Sequence, residues 1–359
     1  MFGFNREKVF VGLDIGSHAV KALELQVRKK GRIEFFEVAR IGYEQLPHEA
    51  IVEGTIIDPT AVAAAIDALF ERAKIGNRDV VISISGNSVI IKRISLPSME
   101  TEELAESIIW EAKHNIPYPY EETHVDYAIL KPSPGADSQN LEILLVAVKK
   151  DKIASYSNVI NLAHKNLEAI EVDAFALHNA LEINYPEEFR EKITAFVNIG
   201  AAITTIVICE KGIPQLFRDL SIGGSYFIEN MRKDLNIGYE DAEAILKGTA
   251  SRALPPAEID AALAANVKSL IEEIEKTFTF FAAEDNKHKK IEQIFLGGGM
   301  ANLKNISGDF EQKTGVKTVL FDPFRAVFYN EKKLNRVYYQ EMATFFGVAV
   351  GLATRKKEK

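Results

Sequence analysis

This chain has little cysteine, no long apolar run and no excess of positive charge, and each of these features excludes some classes of protein. Cys209 is the one cysteine in 359 residues, so no intramolecular disulfide can form, and its apolar context predicts a buried structural thiol. No uncharged apolar run approaches the roughly 20 residues that span a bilayer, and residues 1–8 lack the apolar core of a signal peptide. We therefore expect a cytoplasmic protein without direct membrane insertion, and docking at a membrane through a partner stays open.

The balance of charge argues against one class of partner. The formal net charge is −8, whereas a surface that neutralises nucleic-acid phosphates needs the opposite sign. Hydrophobic residues make up 47% and charged residues 26% of the chain, which is ordinary for a soluble globular protein. The length is sufficient for two domains with their own cores. We therefore expect no nucleic-acid partner, although a local basic patch stays open.

A hairpin near the N-terminus carries the first candidate site. Apolar runs flank a turn that contains Asp14, Gly16 and Lys21, which predicts strand, turn and strand. Gly16 lets the backbone approach a ligand without a Cβ, and the successive N–H groups of Ser17 and His18 can face oxyanions. Lys21 can add a positive charge, and Asp14 can hold hydrated Mg²⁺. The alternatives are an Asp that bonds its own turn and a solvated strand Lys.

The same design recurs twice further along the chain. The second copy is an apolar strand, a polar residue, a tight turn and another apolar strand, with candidate residues Asn198, Gly200, Ala201, Ala202 and Thr204. The third piece is an apolar strand that ends in glycines and opens a helix, with candidate residues Gly297, Gly298, Gly299, Met300 and Asn302. Each piece alone is a weak signal, whereas three in one chain favour a site for phosphate and nucleotide.

The order and spacing of these pieces resemble the phosphate-1, phosphate-2 and adenosine motifs of the actin/Hsp70/sugar-kinase superfamily. The resemblance spans nearly the whole chain. It implies an α/β fold in which two duplicated ribonuclease-H-like halves clamp ATP with Mg²⁺. Asp14 would then be the catalytic acid that holds Mg²⁺ through water, Lys21 and Thr204 would contact the phosphates, and the three glycines would lie against the adenosine beside Met300 and Asn302.

Two further residues acquire a role from the resemblance. Glu243 and Lys247 are four residues apart on a predicted helix, which places both on one face. In the superfamily a Glu and a Lys of the corresponding helix hold the ribose and the adenine. The alternative is an exposed ion pair of little energetic consequence.

The second motif departs from the superfamily pattern. It usually reads Asp-x-Gly, and here the acid is replaced by Asn198. Asparagine keeps an acceptor but loses the charge that helps to hold Mg²⁺ and to orient the attacking water. We therefore predict that ATP binds mainly as a structural ligand and that hydrolysis is slow or absent.

Residues 89–167 predict strand, helix, strand, strand, which resembles the SHS2 insert of the FtsA-like branch. The phrases Ile116-Pro117-Tyr118 and Phe217–Gly224 resemble the type IV pilus assembly family within that branch. The predicted division is 1–88 and 168–192 with a C-terminal helix 338–354 as domain 1A, 89–167 as the insert (1C), 193–224 and 286–337 as domain 2A, and 225–285 as subdomain 2B.

The resemblance to the pilus family also implies location and partners. It implies a protein peripheral on the cytoplasmic face of the bacterial inner membrane that binds the cytoplasmic N-terminal peptide of PilN, in a groove between the first actin-like subdomain and the insert. PilO, PilC and the motors PilB and PilT would lie nearby, and self-association in a ring would be possible. Candidate peptide-contacting side chains are Trp110, Tyr118 and Tyr120, whose alternative role is packing of the insert.

Two other functions stay open. An FtsA-like, filament-forming membrane tether needs an amphipathic C-terminal helix, and residues 355–359 have no apolar face. A small-molecule kinase needs a base for the substrate hydroxyl, for which Asp173 is available. The more ordinary role for Asp173 is to cap the helix that follows it.

Local patterns give further expectations. We expect Gly76 to end a helix that starts at Asp58-Pro59, and Ile109 to lie on the buried stripe of the insert helix. We expect residues 249–265 to form a mobile connector around Pro255-Pro256. Residues 131–138 are rich in turn formers and predict a loop.

Overall fold

The structure, a computed structural model, describes residues 10–30, 33–130, 140–249, 254–283, 289–330 and 341–355. The strands are β1 (Val11–Ile15), β2 (Ala19–Lys30), β3 (Ile33–Gln45), β4 (Ile51–Val52), β5 (Thr55–Ile56), β6 (Asp79–Ile84), β7 (Val89–Pro97), β8 (Thr123–Ile129), β9 (Asn140–Lys149), β10 (Asn166–Val172), β11 (Ile193–Ile199), β12 (Thr204–Glu210), β13 (Ile213–Leu220), β14 (Gln293–Gly297) and β15 (Lys317–Leu320).

Helices and strands are mixed along the chain, with groups of strands followed by helices. The helices are α1 (Pro59–Ala73), α2 (Thr101–Asn115), α3 (Lys150–Leu162), α4 (Asp173–Asn184), α5 (Pro186–Glu191), α6 (Gly224–Leu235), α7 (Tyr239–Leu246), α8 (Pro256–Ala283), α9 (Ile306–Thr314) and α10 (Gly347–Ala353), with 3₁₀ turns at Tyr120–Glu122, Gly299–Asn302 and Ala343–Phe346. No helix within the described ranges combines the length and the hydropathy needed to cross a membrane.

Two five-stranded sheets repeat one topology, and this confirms the predicted duplication. The first sheet has the order β10-β6-β1-β2-β3 and the second has the order β13-β12-β11-β14-β15. In each half the first strand pairs antiparallel with the second and parallel with a strand that follows later in the chain. The first hairpin of each half is therefore placed equivalently, with its turn at the same edge of its sheet.

Small residues let two helices fit between the sheets. A Cβ added to Gly351 of α10 would lie 1.8 Å from the Ala176 carbonyl oxygen of α4, and one added to Gly12 of β1 would lie 2.3 Å from the Ala349 carbonyl oxygen. Only glycine permits such approach of one backbone to another. The core around these helices joins both halves, since Leu177 of α4 and Phe196 of β11 are buried in the same cluster.

The insert forms the predicted strand, helix, strand, strand. Its sheet has the order β7-β9-β8, and α2 buries Leu104, Ile108 and Ala112 against it. The expectation that Ile109 is buried is wrong, because it is 40% exposed on the flank of the helix. Helix α3, which lies within the predicted range 89–167, packs its buried side chains into the core of α1 and the first sheet.

Two predicted helix boundaries are wrong. Helix α1 ends at Lys74, which adopts a left-handed conformation (φ 54°), so Gly76 is not the terminator. Helix α8 begins at Pro256, where proline is favoured because its fixed φ suits the first helical turn. Residues 256–265 are therefore helical rather than a connector.

Other local expectations have mixed outcomes. The predicted C-terminal helix is interrupted by a 3₁₀ turn at Ala343–Phe346 before α10, and residues 338–340 of that prediction lie outside the described residues. The predicted loop at 131–138 also lies outside them. The cap at the start of α1 is as expected, since the Asp58 side chain accepts from the Ala61 N–H at 2.9 Å.

Candidate nucleotide site between the two sheets

The turn of the β1–β2 hairpin carries a buried ion pair. Asp14 and Lys21 are directly opposite in the ladder, and Lys21 Nζ donates to Asp14 Oδ2 at 2.6 Å. Burial raises the pKa of Asp14, while Lys21 pulls that pKa back down. The pair therefore places one carboxylate and one ammonium beside the turn, one ladder position before the last strand pair.

Backbone donors of the same turn remain open. Gly16 N–H bonds the Ala19 carbonyl at 3.1 Å and closes the turn. Among the described residues no protein acceptor bonds the N–H groups of Ser17 and His18. Two successive free amides beside an ammonium form the kind of concavity that binds phosphate oxygens.

The turn of the β11–β12 hairpin has the same shape without the charges. Gly200 N–H bonds the Ile203 carbonyl at 2.9 Å, the counterpart of the Gly16 bond. Asn198 stands opposite Thr205 where the first hairpin has its ion pair. Within the described part of the chain, the N–H groups of Ala201 and Ala202 also have no protein acceptor. This turn can therefore offer amides but no ionised group of its own.

Two carbonyl groups and one hydroxyl of the second turn already form hydrogen bonds within the protein. The Gly200 and Ala201 carbonyls accept from the first residues of α6 at 3.0 and 2.7 Å. Thr204 is fully buried, and its hydroxyl donates to the Ile222 carbonyl at 2.6 Å. Thr204 thus fixes the turn against the segment before α6, and this geometry does not support the side-chain phosphate contact that we expected of it.

The glycine cluster after β14 brings bare backbone close to the second turn. Gly298 has φ 85°, and a Cβ there would lie 2.3 Å from the Ile199 carbonyl oxygen. A Cβ on Gly297 would meet the Phe196 ring at 2.9 Å, and one on Gly299 would meet the Phe345 ring at 3.0 Å. Any larger residue would separate these strands, so the cluster is required for the close approach.

The two other residues of that motif are placed differently. Met300 is buried in the core of the second half. The Asn302 amide donates to the Glu341 carbonyl at 3.0 Å and accepts from the Thr344 hydroxyl at 3.2 Å. Asn302 therefore ties the glycine cluster to the C-terminal segment.

Helix α7 reaches across the cleft to the first turn. Glu243 Oε1 lies 3.0 Å from Lys247 Nζ and 3.8 Å from His18 Nδ1. Burial lowers the pKa of His18, and Lys247 lowers it further, while Glu243 opposes both. One helical turn earlier, the Tyr239 ring meets the His48 ring edge-on at 4.1 Å between centroids. The structure thus brings the predicted nucleoside-binding pair to the predicted phosphate turn.

A second carboxylate at the cleft was not among the predicted site residues. Asp219 Oδ2 accepts from the Gly86 N–H at 2.6 Å, and Asp219 Oδ1 accepts from the Thr205 hydroxyl at 2.8 Å. Burial raises the pKa of Asp219, and these two hydrogen bonds oppose the rise. Asp219 therefore links the second hairpin to the turn after β6 of the first half. Its only sequence signal is its place in the phrase Phe217–Gly224.

These features fit a magnesium nucleotide. Open turn amides and an ammonium suit phosphates, glycine backbone suits a flat base, and Glu243 with Lys247 suits hydroxyl and ring-nitrogen partners. No group of three or more potential ligand side chains forms a ready cation site among the described residues. Mg²⁺ keeps several waters and binds through one or two carboxylates together with substrate phosphates, and Asp14 is a carboxylate placed at the first turn.

Comparison with known proteins identifies the class of fold. The chain resembles the ethanolamine utilization protein EutJ from Carboxydothermus hydrogenoformans at TM-score 0.56, with 15% identity over 96% of this chain and 89% of that one. It also resembles the cell division protein FtsA of Bacillus subtilis (23% identity, 68% of this chain, 58% of FtsA) and of Streptococcus pneumoniae (22%, 77% and 63%). The chain thus spans only about three fifths of these relatives' length. With its duplicated sheets and SHS2 insert, the protein has the actin-like ATPase fold of the FtsA-like branch.

A narrower assignment follows from two further matches. The sequence profile of the type IV pilus assembly protein PilM matches residues 12–357. A solved PilM–PilN type IV pilus biogenesis complex superposes at TM-score 0.86, with 25% identity over 98% of this chain and all of that one. The chain belongs to the PilM family of type IV pilus assembly proteins.

Proposed function

We propose that this protein is the nucleotide-binding, actin-like subunit of a type IV pilus assembly platform that captures the cytoplasmic N-terminal tail of PilN. The observation that carries the proposal is the likeness to the solved PilM–PilN complex over 98% of the chain. The subunit acts on the cytoplasmic face of the inner membrane and is held there by its partners. Its further contacts are PilO, PilC and the motors PilB and PilT, and it has the option of assembling in a ring.

ATP with Mg²⁺ is the proposed ligand of the cleft. Lys21 and the turn amides hold the phosphates, Glu243 and Lys247 hold the nucleoside, and Asp14 holds Mg²⁺ through water. The metal supplies charge neutralisation at the phosphates. Because Asn198 leaves the second turn uncharged, we propose that ATP mainly fixes the two halves against each other. A steady-state turnover above roughly 1 s⁻¹, the lower end for working enzymes, would refute this role.

We propose that the PilN tail binds in a groove between the insert, residues 89–167, and the first actin-like subdomain. Trp110 on α2 is 59% exposed and stacks on His114 with 4.0 Å between ring centroids. The Tyr118 hydroxyl donates to the Asn87 carbonyl at 2.6 Å, and Tyr120 lies beneath Lys113. Trp110 is thus exposed to a partner, whereas the Tyr118 hydroxyl attaches the insert to the loop before β7.

The test is a calorimetric titration with a synthetic peptide of the cytoplasmic N-terminus of PilN from the same genome, with and without Mg-ATP. We expect saturable binding at micromolar concentration or tighter, which a scrambled peptide does not show. Trp110→Ala should weaken binding. Phe280→Ala removes an aromatic of similar exposure (61%) on α8 and should have no effect. Absence of binding by folded protein in both nucleotide states would overturn the proposal.

A second function is favoured by the likeness to FtsA. FtsA-like self-assembly predicts filaments, and sedimentation with Mg-ATP would reveal them. Sedimenting polymer together with absent peptide binding would favour this alternative. For a kinase, Asp173 lies in the first turn of α4 as a helix-start acid should, and a phosphorylated product in a substrate screen would be needed to support that role.

A further inference from the structure

Lys152 belongs to none of the sequence motifs, yet its ammonium lies at the turn that follows β6. It is the third residue of α3, and its Nζ donates to the Ser85 carbonyl at 2.6 Å. A Cβ added to Gly54 would lie 3.1 Å from that Nζ, and one added to Gly86 would lie 4.0 Å from it. Both glycines have positive φ, so two tight turns of the first half leave room for this one ammonium.

The second half reaches the same point. The Ile203 side chain, from the β11–β12 turn, would lie 3.9 Å from a Cβ on Gly54 and 3.0 Å from one on Gly86. Asp219 of β13 accepts from the Gly86 N–H. Lys152 therefore stands where the second hairpin meets the first half, rather than on an outer surface.

The carboxylates that act on Lys152 include one that also acts on the first hairpin. Burial lowers the pKa of Lys152, while the carboxylates of Asp173 and Asp219 oppose that shift. Asp173 also acts on Asp14, whose pKa it helps burial to raise. Asp173 is therefore electrostatically coupled both to the Asp14–Lys21 pair and to Lys152.

The ammonium of Lys152 has donors to spare. It carries three N–H groups, and within the described part of the chain the Ser85 carbonyl is its one acceptor. Two other lysines with largely buried side chains differ: Lys21 bonds the Asp14 carboxylate, and Lys165 bonds the Asp67 carboxylate and the Ala163 carbonyl. A partly desolvated cation without a bonded carboxylate is a receptor for an anion.

The geometry of the cleft indicates which anion. Glu243, which pairs with Lys247, lies 3.8 Å from His18 at one end of the first turn, and the Asp14–Lys21 pair is on the same hairpin. Lys152 lies at Ser85 and Gly86, where the Ile203 side chain of the second turn meets the first half. A nucleotide with its nucleoside at α7 and its phosphates between the two turns directs its last phosphate toward Lys152. Lys21 is paired with Asp14, and within the described residues no carboxylate bonds the Lys152 ammonium. Lys152 is therefore a second cation for phosphate oxygens, in addition to Lys21.

We infer that Lys152 binds the terminal phosphate of a nucleoside triphosphate and thereby distinguishes a triphosphate from a diphosphate. This inference rests on the proposed nucleotide site and adds to it a residue whose contact depends on the presence of the third phosphate. On binding, the ammonium directs its spare N–H groups to phosphate oxygens, and its bond to Ser85 fixes its position.

The test compares Mg-ATP and Mg-ADP affinities by calorimetry for the wild type, Lys152→Gln and Lys150→Gln. Lys150 begins the same helix, is exposed and donates to the Glu121 carbonyl, so it is a matched control. We expect Lys152→Gln to lose about tenfold to hundredfold in ATP affinity, as for a lost charge-assisted hydrogen bond. Its ADP affinity should change by less than about threefold, and Lys150→Gln should match the wild type.

Equal losses for both nucleotides in folded Lys152→Gln, or no loss, would overturn the inference alone. A wild type that binds neither nucleotide would overturn the proposed cofactor and this inference together. Should the variant fail to fold, acetylation of wild-type Lys152 by acetic anhydride, mapped by mass spectrometry, answers the same question. Mg-ATP should protect Lys152 clearly more than Mg-ADP does, and equal protection would contradict the inference.

Discussion

The two hairpins that face the cleft share a backbone and differ in charge. The β1–β2 turn holds Asp14 and Lys21 as a buried pair at 2.6 Å. The β11–β12 turn has Asn198 opposite Thr205, and no ionised side chain stands at that rung. The difference shows that a duplicated fold can keep the shape of a phosphate turn while its chemistry is reduced in one copy.

The second half keeps a carboxylate near its turn, but uses it for structure. Asp219 is engaged by the Gly86 N–H and the Thr205 hydroxyl, so it joins the halves. In this account the first hairpin supplies charge to a magnesium nucleotide, and the second supplies shape and amides.

The equivalent turn glycines should differ in their tolerance of alanine. A Cβ on Gly200 would lie 2.8 Å from the Ile203 carbonyl oxygen, whereas one on Gly16 would lie 3.2 Å from the Ala19 carbonyl oxygen and from Lys21 Nζ. Gly200→Ala should therefore lower the free energy of unfolding by about 2 kcal/mol, and Gly16→Ala by less than about 1 kcal/mol. Chemical denaturation measures both, with Gly76→Ala as the control because its Cβ meets no atom within 4 Å. Equal losses at Gly16 and Gly200 would contradict the asymmetry of shape.

Restoring the acid of the second turn should increase hydrolysis. Asn198→Asp returns a carboxylate that can help to hold Mg²⁺ and orient water, and we expect steady-state ATP turnover to rise about tenfold. Asn198→Ala removes the polar group without adding charge and should not raise turnover. A phosphate-release assay measures the three proteins. If Asn198→Asp hydrolyses no faster than wild type, the missing charge is not what limits the reaction.

The buried carboxylate of the first turn should make stability depend on pH. Burial raises the pKa of Asp14 in spite of Lys21, so the folded state binds this proton more tightly than the unfolded state does. The ionised group costs stability above its folded pKa, and this cost is relieved as the pH falls toward the unfolded value near 3.9. The free energy of unfolding of the wild type minus that of Asp14→Asn, measured by denaturation, should therefore increase as the pH falls through that window. A constant or falling difference would contradict the burial of the charge.

The reactivity of the Cys209 thiol tests only the core beneath the second hairpin and does not depend on the nucleotide site. Cys209 is fully buried in β12, and burial raises the pKa of its thiol far above the ordinary range. A thiol reagent should therefore react fully in denatured protein and negligibly in native protein. Rapid reaction of the native protein would show that β12 opens readily.

Local patterns predicted both hairpins and the insert because each depends on residues close together in sequence. Apolar runs, a glycine turn and an Asp-Pro helix start act over a few residues, so β1–β2, β11–β12 and the start of α1 could be predicted. The end of α1 could not, since Lys74 adopts φ 54° where glycine is the usual choice. The start of α8 was missed because two prolines fit both a connector and a first helical turn.

The cleft itself depends on contacts that no local pattern carries. Asp219 and Gly86 are 133 residues apart, and Lys152 meets Ser85 across 67 residues. The resemblance of motifs predicted that Asp14, Glu243 and the glycine cluster lie in one site. It did not identify Lys152, because the start of α3 is rich in charged residues and looks like an ordinary exposed helix start.

The most direct test of the account is equilibrium binding of ATP with and without Mg²⁺ to the wild type, Asp14→Asn and Asn198→Ala. The account predicts that Mg²⁺ strengthens ATP binding to the wild type and to Asn198→Ala alike. It predicts that Asp14→Asn loses this strengthening, by about tenfold or more, because the first hairpin holds the charge. Loss of the magnesium effect in Asn198→Ala with its retention in Asp14→Asn would contradict the division between the hairpins.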